Sequence, residues 1–276
     1  MACAGFPEIA HGSVWLVGAG PGDPGLLTLH AVHALEQADV VLHDALVAPE
    51  ILTLCGPAAR LEAVGKRAGR KSPRQLEINQ RLIDLARQNL RVVRLKGGDP
   101  MVFGRGGEEA LALAAAGVPF RIVPGVTAGH GALAYAGIPA THRGRAQSVA
   151  FVTGHHAGGG DARDVDWAAL AKGAHTLVLY MALQRLPAIA DALLAAGRDP
   201  QDPVAILSDT TTRRQRLVRT TLAEAAAVAA GVDRASATLI AIGPVVALSD
   251  LLAPWLEMAP AALEPAEHDQ LVAIQG

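Results

Sequence analysis

Short apolar runs alternate with helical periodicity along the first half of the chain. Ser13–Gly18 (SVWLVG), Asp39–His43 (DVVLH), Arg60–Val64, Arg91–Lys96 (RVVRLK) and Phe120–Val123 each predict a strand. Apolar positions at Leu76, Ile78, Leu82, Ile83, Leu85 and Ala86 predict an amphipathic helix over Ser72–Asn89, opened by Ser72-Pro73. Further helices are expected from near Thr28, through Glu108–Ala116, and near Ala128–Tyr135. Strands separated by helices imply right-handed crossovers and a largely parallel sheet.

Gly137–Gln147 (GIPATHRGRAQ) breaks this rhythm with turn residues, and the domain boundary is placed there. Beyond it, strands are expected at Ser148–Thr153, Thr176–Met181, Val204–Asp209, Gln215–Thr220 and Thr238–Ile242, with helices near Leu186–Ala196 and Leu222–Ala230. The short link between Val204–Asp209 and Gln215–Thr220 predicts a hairpin and hence a mixed sheet. The fold class is α/β, with two α/β domains. The N-terminal one covers 13–137 and the C-terminal one, with the mixed sheet, 147–256. A flexible tail is expected over 257–276, which is rich in Ala, Pro and Glu.

Composition narrows the class. The 276 residues are 51% hydrophobic and 18% charged, which suits packed cores and not a disordered chain. A net charge of −2 and 3% aromatics leave neither a basic field nor stacking platforms, so no nucleic-acid partner is expected. Cys3 and Cys55 form no CxxC or Cys/His cluster, so neither a disulfide framework nor a metal is expected. The longest uncharged run, Ala235–Ser249, has 15 residues and contains Pro244, too short to cross a bilayer. The N-terminus also lacks a basic leader, and a soluble cytoplasmic protein is expected.

Candidate chemistry gathers in loops. Gly18-Ala19-Gly20-Pro21-Gly22-Asp23 lies between a strand and a helix, where glycines let backbone approach a ligand. A dinucleotide reading fails because Asp23 stands where the third glycine belongs, although Asp44 could imitate a ribose-binding acid. Glycine or proline loops also occur at Gly65–Gly69, Lys96–Pro100, Phe103–Gly107 and Pro124–Ala128. Several such loops at the carboxyl ends of parallel strands suit a ligand crevice. Asp23, Asp44 and Asp99 among them favour a cationic or amphoteric cofactor over a phosphate.

Five segments together resemble the tetrapyrrole methylases: VGAGPGDPGLLTL (Val17–Leu29), HDALVAPEIL (His43–Leu52), VGKRAG (Val64–Gly69), RLKGGDPMVFGRGGEE (Arg94–Glu109) and PGVTAGHGALAYAGIPATHR (Pro124–Arg143). The resemblance runs in order from about Ser13 to Pro244. It implies two α/β domains with S-adenosylmethionine held in the cleft between them, leaving as S-adenosylhomocysteine, in a homodimer. It also implies two methyl transfers to uroporphyrinogen III, at C-2 and C-7, giving precorrin-2 by way of precorrin-1 for sirohaem, cobalamin or haem d1 synthesis. Cofactor contacts map onto Pro21, Gly97, Gly98, Asp99, Val102, Thr127, Ala128, Met181, Thr210 and Gly243. Asp44 and Lys66 match positions assigned as proton acceptor and donor, while Arg105, Glu108, Arg143 and His155 match positions near the tetrapyrrole.

The chemistry agrees. The acceptor is a carbon of an electron-rich pyrrole, so positioning matters more than a strong base. Arginine forks suit the eight substrate carboxylates, and Lys66, Arg67, Arg70, Arg105, Arg143 and Arg145 all fall in loops. Plainer readings stand beside these. Asp44 could cap a turn, Glu108 and Glu109 could serve the helix dipole, Met181 could be core, and His155 could belong to a glycine-rich loop. The chain departs from the family pattern at His43, where Tyr is common, at Thr210, where a small residue is common, and in a longer His155–Asp164 loop. The rival classes are a methylase of a later precorrin, a nucleotide-binding oxidoreductase and a non-catalytic tetrapyrrole sensor.

Overall fold

The computed structural model describes residues 5–64, 75–154 and 165–252, and the tail expected over 257–276 lies outside them. Two five-stranded sheets organise the chain. The first has the order β3-β2-β4-β1-β5 and is parallel throughout, built from β1 (Ser13–Gly18), β2 (Val40–His43), β3 (Arg60–Ala63), β4 (Arg91–Lys96) and β5 (Phe120–Val123). Central β1 and β4 are buried along nearly their whole length, whereas edge strands β3 and β5 are largely exposed. That is why the central strands read as continuous apolar runs: both faces are covered.

Helices α1 (Leu29–Gln37) and α2 (Pro49–Leu52) cover one face, over Trp15, Val17, Val41, Val93 and Leu95. Helices α3 (Gln75–Arg87) and α4 (Gly106–Ala115) cover the other, over Val14, Leu16, Val40, Leu42 and Val92. Thr28 caps α1, its hydroxyl accepting from Ala31 N at 3.1 Å. Helix α3 ends before Asn89, which adopts a left-handed φ of 64°. The Ser72-Pro73 start expected for it lies outside the described residues.

The second sheet has the order β6-β7-β10-β8-β9, from β6 (Val149–Thr153), β7 (Thr176–Tyr180), β8 (Pro203–Ser208), β9 (Arg216–Thr221) and β10 (Thr238–Ile242). Only the β6–β7 pair is parallel, and β8–β9 forms the expected hairpin in a mixed sheet. One face carries α6 (Trp167–Gly173), α7 (Leu186–Ala195) and α8 (Ala225–Ala229). Its other face is covered by α5 (Ala128–Tyr135), through Ala132 and Leu133, and by the 3-10 turn Pro244–Leu248. Helix α5 therefore leaves the first sheet at β5 and packs on the second, although the sequence groups it with the first. Helix α6 had no predicted counterpart; it is short, and Asp166 caps it by accepting from Ala169 N at 2.9 Å.

One ion pair ties the starts of β2 and β4 together. Asp39 accepts from Arg91 N at 2.7 Å and from Arg91 Nη2 at 2.7 Å. The Arg91 side chain chiefly, aided by its backbone N–H, holds the Asp39 carboxyl below its ordinary value of 3.8. A lowered folded value contributes stability that is present above the unfolded value and lost as pH falls through the folded one. Asp39→Asn is therefore expected to lower the urea midpoint near neutrality, with the gap to wild type narrowing as pH falls below about 4 and through the folded value. A gap that stays constant across that range would remove the ion pair as its source.

Candidate active site

Because the first sheet is parallel, Gly18, His43, Lys96 and Val123 end at one edge, and the loops after them meet there. Gly20 N–H donates to Gly98 O at 3.1 Å, and Gly98 N–H donates to Gly20 O at 2.8 Å. A Cβ on Gly18 would lie 2.6 Å from Gly125 Cα, and one on Gly125 would overlap Gly98 O. Three backbones thus touch without side chains between them, which only glycine permits. Asp99 binds the same loops: Oδ1 accepts from Met101 N at 2.7 Å and Oδ2 from Gly125 N at 3.0 Å. The carboxylate expected on the cofactor thus also sets the shape of two loops.

The second sheet closes on this floor through its own strand ends. Tyr180, at the end of β7, accepts from Gly129 N at 2.6 Å and lies 2.6 Å from Thr127 Oγ1. Phe103 and Phe151 flank its ring at 4.8 and 5.9 Å between centroids, and burial raises its hydroxyl pKa. Met181 follows with a φ of 52° and 54% exposure, a strained backbone state that recurs at functional sites. Thr210–Thr212, after β8, lie against Gly22, where an added Cβ would stand 2.9 Å from Thr212 Cγ2. Thr211 Oγ1 accepts from Asp23 N at 3.1 Å. Tyr135 donates to Asp23 Oδ2 at 2.6 Å, which pushes the tyrosine hydroxyl up to about 12.

Most of the expected cofactor positions are brought together here. Pro21 packs where a Cβ on Gly131 would meet it, Gly97 lies beside Leu46, and Val102 N–H donates to Asp99 O at 3.4 Å. Thr127 and Ala128 open α5, and Met181 and Thr210 come from the facing sheet. Gly243 is not brought to them. Leu239 of β10 pairs with Tyr180, but Ile242 pairs with Leu177, so Gly243 lies at the opposite sheet edge. Its φ of 141° serves the turn into Pro244, and a Cβ there would overlap His175 O.

Arg105 and Glu108 stand at the start of α4, both more than half exposed and paired with each other. Arg105 Nε donates to Oε1 at 2.8 Å and Nη2 to Oε2 at 2.6 Å, a bidentate fork presented from a left-handed backbone. Each holds the other charged: the arginine pKa is raised and the glutamate pKa lowered, chiefly by this hydrogen bonding. Arg143 is exposed in a tight hairpin between His142 and Ala146 and lines a separate cavity of about 300 Å³ with Thr141 and Gln147. Lys66, Arg67, Arg70 and His155 lie outside the described residues. Among the described residues no cluster of His, Cys, Asp or Glu is placed to hold a metal.

Sequence reasoning missed a buried charge group behind Asp44. Arg94, Lys96 and Glu109 are each no more than 2% exposed. Glu109 Oε1 accepts from Arg94 Nε at 3.0 Å, Lys96 Nζ at 3.0 Å and Gln75 Nε2 at 3.1 Å. Arg94 Nη2 reaches Asp44 Oδ1 at 2.5 Å. Burial, reinforced by neighbouring Arg94, lowers the Lys96 ammonium pKa. The signal was present in RVVRLK, where Arg94 and Lys96 repeat at period two inside a strand otherwise apolar enough to be buried. Tyr180 was also passed over, although it is one of only two tyrosines in the chain, and both bridge elements of the two sheets.

Strand-end loops from two α/β sheets, meeting over a floor of bare backbone, define a small-ligand α/β protein with its site at the junction. Comparison with known proteins gives the particular group. Residues 13–226 match the model of the tetrapyrrole (corrin/porphyrin) methylases, and the chain belongs to that family. It is 54% identical over 253 residues to a uroporphyrinogen-III C-methyltransferase of Sinorhizobium sp, covering 92% of this chain and 90% of that one. It is 52% identical to the siroheme synthase of Stutzerimonas stutzeri (strain A1501) over 94% of its own length, but spans only 55% of that protein. Among solved structures, the Thermus thermophilus uroporphyrin-III C-methyl transferase complexed with S-adenyl homocysteine superposes with a TM-score of 0.74 at 44% identity, covering 86% of this chain and 99% of that one. A cobalt precorrin-4 methyltransferase gives 0.75 at 28% identity, covering 88% and 99%.

The glycine floor makes a stability prediction. Gly125→Ala should cost about 1–3 kcal/mol by urea unfolding, because its Cβ meets backbone that cannot turn aside. Gly173→Ala, where a Cβ meets nothing within 4 Å, should stay within about 0.5 kcal/mol of wild type. Equal effects at the two sites would contradict the packing described.

Proposed function

We propose that the chain is an S-adenosylmethionine-dependent C-methyltransferase that methylates uroporphyrinogen III twice, at C-2 and C-7, giving precorrin-2 by way of precorrin-1. The observation that carries this reading is the backbone floor of Gly18, Gly98 and Gly125 at the junction of the sheets, where Tyr180 meets Thr127 and Gly129 and Thr210 meets Gly22. A floor of closely packed backbone, which a Cβ on Gly18 or Gly125 would force apart, suits a cofactor gripped by backbone groups. The 54% identity to the Sinorhizobium enzyme, and the S-adenyl homocysteine in the Thermus structure, support the same ligand.

Bound S-adenosylmethionine supplies an electrophilic methyl group and leaves as S-adenosylhomocysteine. Pro21, Gly97, Gly98, Asp99, Val102, Thr127, Ala128, Met181 and Thr210 hold it. Methyl transfer is an in-line displacement, so the floor works mainly by setting donor and acceptor at contact distance. Arg105, released from Glu108, offers its fork to a substrate carboxylate, and Arg143 and His155 hold others. Asp44, partly exposed where β2 ends, takes the proton that leaves the macrocycle, and Lys66 stands at the position matched to the family's proton donor.

Half-exposed Met101, Phe103 and Met181, together with Leu46, give the junction an apolar rim suited to macrocycle faces. The product serves sirohaem, cobalamin or haem d1 synthesis. The enzyme works as a cytoplasmic homodimer, the 13–137 and 147–256 units each supplying one wall of the cleft, and takes no nucleic acid. No helix among the described residues is long and apolar enough to cross a membrane.

Anaerobic incubation with uroporphyrinogen III and S-adenosylmethionine, followed by mass spectrometry, tests the reading. A macrocycle heavier by two methyl groups, with matching S-adenosylhomocysteine, is expected. An unchanged macrocycle with intact cofactor binding would transfer the activity to a later precorrin. Arg105→Ala is expected to lose at least about 10²-fold in methylation while isothermal titration still shows wild-type affinity for S-adenosylhomocysteine. Unchanged turnover would remove Arg105 from the site.

A further inference from the structure

We propose that Arg94 is the positioning residue of Asp44, holding its carboxylate at the cleft from a buried fork anchored on Glu109. The inference rests on the reading of Asp44 as the group that takes the proton, and concerns what aims it.

Arg94 points from the middle of β4 to the same face as Val92, where a plain sheet would carry another aliphatic residue. Every nitrogen of its guanidinium is engaged. Nε donates to Glu109 Oε1 at 3.0 Å, and Nη1 donates to Leu95 O at 3.2 Å and more distantly to Leu42 O at 3.4 Å. Only Nη2 is left to reach outward, to Asp44 Oδ1. The Arg94 and Glu109 side chains are 3% and 0% exposed, and that of Lys96 2%, whereas that of Asp44 is 29% exposed. Among the described residues the group meets partly exposed partners at two points, Gln75 at the start of α3 and Asp44 at the strand-end loops, and Asp44 is the charged one.

The backbone of Asp44 is fixed against the same partner. Its N–H donates to Leu95 O at 3.2 Å, the carbonyl that also accepts from Arg94 Nη1. Arg94 holds Asp44 Oδ1, and Oδ2 accepts no hydrogen bond among the described residues. Charges balance as two cations, Arg94 and Lys96, against two anions, Glu109 and Asp44. Glu109 is what allows a buried arginine to be spent on an exposed partner. Without it, two cations would share one dry site.

Arg94→Met tests this, because it leaves Lys96 paired with Glu109 and strands no charge in the interior. In its crystal structure the Asp44 carboxylate is expected to turn away from its wild-type place, with both sheets unchanged. Asp44 found in the wild-type place overturns the proposal whatever the substrate proves to be. In turnover of uroporphyrinogen III, Arg94→Met and Asp44→Asn should each lower kcat by about 10²-fold, with KM for both substrates within about twofold. The double variant should fall no further than Asp44→Asn, because the two residues act as one unit. Losses that multiply, or a matching fall in affinity for S-adenosylhomocysteine, would make Arg94 merely structural and overturn the proposal. If Arg94→Met does not fold, Arg94→Lys keeps the charge without the fork and is read by the same structure and cycle. A wild-type protein that leaves uroporphyrinogen III unmethylated removes the functional reading, and the crystal structures still decide the positioning.

Discussion

The cleft depends on backbone meeting backbone. Gly18, Gly98 and Gly125 come from three parallel strands, and any side chain on Gly18 or Gly125 would push the loops apart. Once these loops are in contact, Gly20 and Gly98 exchange hydrogen bonds and Asp99 can reach Gly125 N. The result is a surface of N–H and C=O groups at the carboxyl edge of a sheet, rigid because its own polar groups are already partly paired. Ligand recognition by such a surface costs little ordering, since the shape exists beforehand.

A second constraint sets the facing wall. Helix α5 leaves the first sheet and buries Ala132 and Leu133 against the second, so the two sheets share an element and not just a linker. Two tyrosines fasten the arrangement at both ends of that helix: Tyr180 at its first turn and Tyr135, its last residue, to Asp23. Positive φ marks Met181, Asp209 and Thr211, just past the strand ends of the mixed sheet. Strain of this kind persists only where the surroundings over-determine it, and here hydrogen bonds to Asp23 and Tyr180 do so.

Charge is handled differently in the interior and at the rim. At the rim, Arg105 and Glu108 satisfy each other in water, where a partner with several carboxylates can displace one of them at modest cost. Inside, Arg94, Lys96 and Glu109 cannot exchange partners, since each is dry and losing Glu109 would leave the buried cations uncompensated. The first arrangement suits binding and the second suits holding a neighbour still.

Much was legible in one dimension. The strands of the parallel sheet, the hairpin and the glycine loops followed from apolar runs and turn residues, because burial on both faces and positive φ leave marks in local composition. The five family segments drew attention to the glycine loops that meet at one sheet edge for the same reason: closely packed backbone needs glycine at set places. Side-chain partnerships over long separations left no such mark. Asp44 and Arg94 are 50 residues apart, Thr127 and Tyr180 53, and Tyr135 and Asp23 112, and only the fold brings them within hydrogen-bond reach. Gly243 shows the reverse: its sequence suits a ligand loop, but the antiparallel direction of β10 carries it to the wrong edge. Sequence alone determined which residues could line a site, because local chemistry is written residue by residue. Strand direction, crossover and burial decided which of them meet, because those are properties of the packed sheets and not of any segment.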